Sequence, residues 1–376
     1  MNDTAHIWIS DPAALGARFA TPPARIGLDT EFIRERTYWP QLALVQIAVG
    51  GEILLVDPLA PGVPEALRTI LADTRVLKVM HSASEDLVAL RHTCGAVPEP
   101  LFDTQVAAAL AGVGSGVGYQ RLVMETLEVH LDKGETRSDW MRRPLSPSQL
   151  SYAADDVRHL FALHDALAGR LDALDRMAWF EEDCARMLDG ARTGDLERWP
   201  HLSMRAWQFL DPDGQRRLLR LLRWRDAYAR DNDRPRTWIL GNELAGLLAR
   251  DPPADLAALQ RQLDAHPKAP KKLAGEVWSA LATPLADEAE APAARSEERD
   301  KRLLRRLQEA VAARSAELGL PDGVLASRRW LELLLDGNDW PGMLGGWRRR
   351  ELEPALAPLL ASPPSTQRLP STDTAV

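Results

Sequence analysis

The sequence predicts an α/β domain, a mixed sheet covered by helices, followed by an all-α half that holds two small helical domains. Three observations carry this reading. Short apolar runs alternate with helical patterns from about residue 5 to 110. From about residue 146 onward, leucine and alanine recur at spacings of three and four with no convincing strand. A stretch rich in Ala, Pro and Glu (residues 282–300) then divides the helical half in two.

Taken in order, Arg25–Phe32 (RIGLDTEF), Leu42–Val49 (LALVQIAV), Glu52–Asp57 (EILLVD) and Val76–Met80 (VLKVM) read as strands. Short connections join the first three, and Gly50-Gly51 supplies a hairpin turn between the second and third. From Val63 onward strands alternate with helices, which predicts parallel additions to the same sheet. The expected boundaries are 1–204 for the α/β domain, 205–282 and 300–362 for the helical domains, and 283–299 for a linker. The tail 363–376 has no core-forming pattern and is expected to be disordered. Gly112–Gly118 (GVGSGVG) lacks the Lys-Ser/Thr of a phosphate loop and reads as a lid or connector.

A chain of 376 residues suits two or three domains. No apolar run approaches the roughly 20 residues needed to span a bilayer. The N-terminus lacks the basic-then-apolar order of a signal peptide, so a cytoplasmic location is expected. Two distant cysteines, Cys94 and Cys184, without histidines at ligand spacing, argue against a disulfide framework or a zinc site. With a net charge of −8, nucleic acid would have to be held by local basic patches or by cations that convert an acidic cleft.

Acidic residues form the chemical core of the sequence. Asp29 and Glu31 sit at the end of the first strand, and alternation puts both on one face. Two such carboxylates are costly to bury together unless a divalent cation neutralises them; alone, the pair reads equally as a solvated sheet edge. In His81–Leu87 (HSASEDL), Ser82 and Glu85 have the form of a capping box, which makes Glu85 structural. Asp86 follows in the first helical turn, where it serves either a site or merely the helix dipole. Ser146-Pro147-Ser148-Gln149 opens a further helix. There Tyr152 shares a face with both Asp155 and Asp156, and spacing does not choose between them. Asp103 precedes a helical run (TQVAAALAG) and is explained as its N-cap.

In combination these motifs resemble the DEDD superfamily of 3′–5′ exonucleases in its tyrosine-containing branch, most closely the ribonuclease D family. The similarity covers the first two hundred residues. It includes the strand with Asp29 and Glu31, Gln41–Ile47 (QLALVQI), Lys78–Asp86 (KVMHSASED), Phe102–Gln105 (FDTQ) and Trp140–Asp156 (WMRRPLSPSQLSYAADD). The family's final motif, Tyr-x-x-x-Asp, selects Tyr152 and Asp156 over Asp155. The resemblance implies a ribonuclease H-like mixed sheet and a catalytic set of Asp29, Glu31, Asp86, Tyr152 and Asp156. The four carboxylates would hold two divalent cations. An all-oxygen donor set suits Mg²⁺ or Mn²⁺ and not zinc. Asp29 is expected to bridge both ions, Glu31 and Asp156 to complete the site nearer the attacking water, and Asp86 to support the second ion. Tyr152 is expected to orient that water, since a phenol with a pKa near 10 is a poor base.

Four further residues are candidates for substrate binding. Phe32, along with Tyr38, is placed to stack on the terminal base or to pack in the core. Gln46 is placed to approach the terminal nucleotide or to lie on the sheet surface. Lys133 and Arg143 lie in a segment (LDKGETRSDWMRR) where either would neutralise phosphate or be solvated.

The helical half carries Arg216, Arg217, Arg220, Arg223, Arg225, Arg230, Arg234 and Arg236 with Trp207, Trp224 and Trp238 interspersed. Arginine with aromatics suits a phosphate-tracking surface, while a solvated arginine face over core tryptophans is the plainer alternative. This block and the later one (KRLLRRLQEA, LASRRWLELLLDG) resemble the HRDC domain. The expected function is therefore 3′-to-5′ exoribonuclease action on RNA with a free 3′ end, with tRNA precursors the expected substrate, by a monomer. The rivals are a 3′–5′ exodeoxyribonuclease, distinguished by the absence of a 2′-hydroxyl contact, and a catalytically silent RNA-binding scaffold, which would not need the full acidic set.

Overall fold

The computed structural model describes residues 6–131, 138–194, 197–294, 300–336 and 340–361. The chain divides into two compact units, Met1–Arg295 and Ser296–Val376. The first is built on a six-stranded sheet. Its strands are β1 (His6–Ile9), β2 (Arg25–Ile33), β3 (Gln41–Val49), β4 (Glu52–Val56), β5 (Leu77–Met80) and β6 (Leu101–Asp103), ordered β1-β4-β3-β2-β5-β6. The strands β2, β3 and β4 form an antiparallel meander; β1 joins β4, β5 joins β2 and β6 joins β5, all in parallel. Gly50 and Gly51 both take positive φ, 56° and 85°, in the β3–β4 turn, as a two-residue hairpin requires. The flanking strands β1 and β6, four and three residues long, are not among the strands read from the sequence; neither lies in a longer apolar run as β5 does.

The helices of this unit are α1 (Pro12–Arg18), α2 (Val63–Ala72), α3 (Ser84–Cys94), α4 (Thr104–Leu110), α5 (Tyr119–Leu127), α6 (Pro147–Arg158), α7 (Leu160–Ala173) and α8 (Met177–Thr193). They are followed by α9 (Pro212–Asp231), α10 (Arg236–Ile239), α11 (Asn242–Arg250), α12 (Leu256–Ala265) and α13 (Ala274–Ala282). The second unit has α14 (Lys301–Leu318), α15 (Arg328–Asp336) and α16 (Trp347–Leu360). Among the described residues no strand follows residue 146, and no helix is long and apolar enough to cross a membrane.

The two faces of the sheet differ. Ile26, Leu28, Val45, Ile47, Leu54 and Val56 pack with Leu67, Leu87 and Leu90 in the main apolar core. The opposite face, bearing Gly27, Asp29 and Glu31, is covered by α6 and α7. Gly27 permits this approach, because a Cβ there would stand 3.2 Å from Leu160 Cδ1 and from the Ala48 Cβ. The glycine-rich run 112–118 connects α4 to α5.

One local expectation is corrected. Ser82 and Glu85 form no capping box: the residue before α3 is Ala83, without a side-chain cap. Glu85 instead pairs with Arg34 at 2.8 Å. The start of α3 is held by Asp103, whose carboxylate accepts from Ser82 N at 3.2 Å and Ala83 N at 2.8 Å. The same carboxylate accepts from Gln105 N and Val106 N as the N-cap of α4. Adjacent parallel strands bring two helix starts together, and one buried acceptor satisfies both sets of orphan N–H groups.

The first helical block has its own core, centred on Leu218, Leu222, Leu244, Leu248, Leu259 and Val277, with Trp207 and Trp224 packed against it and Trp238 exposed at 56%. It docks on the loop after β2. Tyr38, a candidate for base stacking, is 7% exposed and packs with Ala229 and Ile239. Its hydroxyl accepts from Arg236 at 3.0 Å, while Trp39 lies stacked on His92. Asp233 accepts from both Tyr38 N and Trp39 N at 3.0 Å. Asp233 has a φ of 47°, so Asp233→Gly removes the acceptor without adding strain. We expect that variant to lose about 1–3 kcal/mol of stability in calorimetric unfolding.

Most arginines of this block are satisfied within the fold. Arg220 grips Glu288 through two hydrogen bonds and Arg223 grips Asp287, so the segment expected to be a linker carries anchored acidic residues. Arg216 pairs with Asp213, Arg217 and Arg230 bond carbonyls, Arg225 bonds Asn242, and Arg236 pairs with Asp226. Of the eight, Arg234 alone makes no side-chain bond among the described residues. In the second unit Trp347 is fully buried, and Arg348 stacks on it while donating to Val324 O at 3.0 Å.

Candidate active site

The site is assembled where β2 ends. Asp29 and Glu31 project from that strand on the face covered by α6. A β-bulge between Glu31 and Phe32 then interrupts the pairing with β3, a device that re-aims side chains at a sheet rim. The helix α6 starts from a full capping box, with Gln149 N donating to Ser146 Oγ and Ser146 N to Gln149 Oε1, which fixes the turn that carries Tyr152 and Asp156. Asp86 arrives from the opposite face, one turn into α3, and receives a hydrogen bond from the Thr30 hydroxyl. Thr30 points away from Asp29 along the strand, so this bond ties the start of α3 to the strand that carries Asp29 and Glu31.

Electrostatics tie these groups together. Burial pushes Asp29 well above the usual carboxylate range, and the charges of Asp86, Asp156 and Glu31 push it further. Glu31 is raised to about 8, by burial and then by Asp156 and Asp86. Burial lifts Asp86 to about 7 against the opposing bond from Thr30. It lifts Asp156 to about 7 against the steadying Tyr152 hydroxyl. Tyr152 rises above its ordinary value, through burial and then through Asp156, Glu31 and Asp29, so its phenol keeps its proton at neutral pH. Among the described residues no three acidic, histidine or cysteine side chains stand at metal-coordination spacing; what links the four carboxylates is their burial and the charge of the others felt at Asp29 and Glu31. The donor chemistry fits hard divalent cations, being all oxygen, while Cys94 and Cys184 are buried and free.

The remaining sequence candidates fall elsewhere. Phe32 is half-buried and packs against the main core. Gln46 lies directly opposite Asp29 on β3 and is fully buried, which corrects both its surface placement and its expected contact with a nucleotide. Arg143 is not available to phosphate. Its guanidinium makes a bidentate pair with Asp57 at 3.0 and 2.7 Å and donates to Ala43 O, Trp140 O and Arg142 O. All five donors are used to strap the segment before α6 onto the sheet. Lys133 lies outside the described residues. Asp155 is ion-paired with Arg158 at 2.7 Å.

Three contributors were not seen in the sequence. Thr30 holds Asp86, a cross-face contact that strand alternation does not suggest. Trp140 flanks the Tyr152 ring at 6.1 Å. The Tyr119 hydroxyl donates to Asp155 O and accepts from His159 N, each at 3.1 Å, holding the joint between α6 and α7. None of these has a local pattern; each contact exists only through the tertiary packing of α3, α5 and α6.

Comparison with known proteins identifies the family. A family model described as 3′–5′ exonuclease matches residues 3–172. Ribonuclease D of Xanthomonas oryzae pv. oryzae is 63% identical over 355 residues, covering 94% of this chain and 98% of that protein. Ribonuclease D of Pseudomonas paraeruginosa is 36% identical over 372 residues, covering 94% and 97%. The crystal structure of Escherichia coli RNase D superposes with a TM-score of 0.77 at 28% identity, covering 95% of this chain and 98% of that one. With its ribonuclease H-like sheet followed by a helical C-terminal half, the chain belongs to the ribonuclease D family and is a 3′-to-5′ exoribonuclease.

Proposed function

We propose that this chain trims the 3′ ends of tRNA precursors and other structured RNA, releasing mononucleotides. In this reading Asp29, Glu31, Asp86 and Asp156 hold two divalent cations, Mg²⁺ or Mn²⁺, and Tyr152 orients the attacking water. The observation that supports it most is the burial of four carboxylates around the end of β2, with Asp29 and Glu31 facing the charge of the others, a cluster whose ionised form needs cations beside it. Bound cations would supply water activation and stabilisation of the departing 3′ oxygen. Tyr152, protonated because burial and neighbouring carboxylates raise its pKa, acts as a hydrogen-bond donor and not as a base.

The blocks 205–282 and 300–362 are read as HRDC-like domains that guide RNA towards this cleft, in the cytoplasm and as a monomer. E. coli RNase D, similar along nearly the whole chain, is described as an exoribonuclease involved in structured RNA processing. Arg234, exposed and without a side-chain partner among the described residues, and exposed Trp238 are the residues of the first block best placed to meet a strand. Incubating 3′-labelled RNA and DNA of one sequence with Mg²⁺, Mn²⁺ or EDTA tests the reading. Mononucleotides should leave the RNA only with metal; release in EDTA, or preference for DNA, would overturn it. A double variant Arg234→Ala, Trp238→Ala should bind long structured RNA roughly tenfold more weakly and still hydrolyse short oligonucleotides.

A further inference from the structure

Gln46 is the anomaly of the covered sheet face. Its neighbours on β3 with the same outlook, Leu44 and Ala48, are apolar and buried, and so is Leu55 beside it on β4. Gln46 is equally buried, with no exposed surface, yet neither Nε2 nor Oε1 has a hydrogen-bond partner. An unpaired amide in such a place is strongly unfavourable compared with leucine or methionine of similar size. A cost of this kind points to a partner that the amide serves. The register supplies one: Gln46 is paired directly with Asp29 across the β2–β3 ladder. Directly opposed residues on antiparallel strands point to the same face, with Cβ atoms about 4.5–5.5 Å apart.

We propose that Gln46 is a positioning residue for Asp29, its amide donating to the Asp29 carboxylate when that carboxylate is charged and engaged with cations. The amide is too deeply buried to touch nucleotide, so its action runs through Asp29 alone. A neutral donor suits this place: it fixes the orientation of the carboxylate without competing for its charge, as outer partners of metal ligands commonly do. The inference rests on the metal-site reading given above and adds a residue to it.

The test uses the full-length protein and Gln46→Met, a near match in volume without the amide. Two measurements separate the possibilities: thermal unfolding in EDTA and Mn²⁺ binding by calorimetric titration. If Gln46 serves Asp29, the methionine variant unfolds about 2–4 °C higher in EDTA, because the unpaired amide is gone. It also binds Mn²⁺ on the order of tenfold more weakly, and on a short oligonucleotide kcat falls while KM holds. A lower unfolding temperature in EDTA, or Mn²⁺ affinity equal to wild type, would overturn the role of Gln46 alone. Wild-type protein that binds no Mn²⁺ would instead overturn the metal-site reading beneath it, and this inference with it.

Discussion

Asp29→Asn is expected to lower single-turnover hydrolysis of a 3′-labelled RNA by on the order of 10³-fold or more, about 4 kcal/mol of barrier, while raising the unfolding temperature in EDTA. Both signs follow from one observation. Asp29 stands between Asp86, Asp156 and Glu31, and its carboxylate is raised by burial and by all three charges. In the chelated protein an ionised Asp29 is unfavourable, and an amide of the same shape relieves it. In the working enzyme the same negative charge belongs to the cation site, and an amide supplies none. Activity and stability therefore move in opposite directions, as they do where a fold maintains strain for function. Unfolding temperature and rate measured on one preparation check it. A variant that loses activity and also melts earlier in EDTA would mean that Asp29 supports the fold and that its loss acts through misfolding.

The legible part of the fold was the part with repetition. The strands β2, β3, β4 and β5 are long enough, or apolar enough, for pattern to identify them, and the two glycines at 50–51 mark their own turn. The strands β1 and β6 consist of four and three residues, and neither is extended into a longer apolar run as the equally short β5 is by Val76. The Ser82–Glu85 box failed for a related reason. Local sequence supplied a plausible cap, but tertiary structure supplied a better one in Asp103, twenty positions away, which serves two helix starts at once.

The site shows the same division. Alternation placed Asp29 and Glu31 on one face, and helical spacing placed Tyr152 beside both Asp155 and Asp156. Preferring Asp156 needed the resemblance, although the pairing of Asp155 with Arg158 would have been a local clue. Arg143 and Tyr38 went astray because their partners, Asp57 and Asp233, lie 86 and 195 residues away. Neither partner has any signal in the sequence around these residues. A basic or aromatic side chain near a catalytic motif invites a substrate role, but in a folded chain the nearest carboxylate usually claims it first.

The second large effect is on stability against pH. Glu31 at about 8, Asp86 and Asp156 at about 7, and raised Asp29 contrast with roughly 4 for the same groups unfolded. A carboxyl raised in the fold retains a proton that the unfolded chain releases. Its stabilising contribution is complete below the unfolded pKa and is lost as pH rises through the folded one. In EDTA, stability should therefore fall towards pH 8. Histidines act in the opposite sense over part of that range. His81, His92, His159 and His201 are all lowered by burial, so their contribution rises with pH through about 6.5, where the unfolded imidazole is half-deprotonated, and levels off above it. Depressed carboxylates such as Asp73, Asp165 and Asp287, each near 2, matter only in stronger acid. From about pH 6.5 to 8 the four carboxyls outweigh the remaining rise from the histidines and that from Lys78, which burial lowers to about 8. There the unfolding temperature in EDTA should drop by several degrees in the wild type and less in Asp29→Asn, and Mn²⁺ should reverse the drop, since cations compete with protons for the same oxygens. A curve that is flat or rising across that interval would mean that the four carboxylates do not share a desolvated pocket.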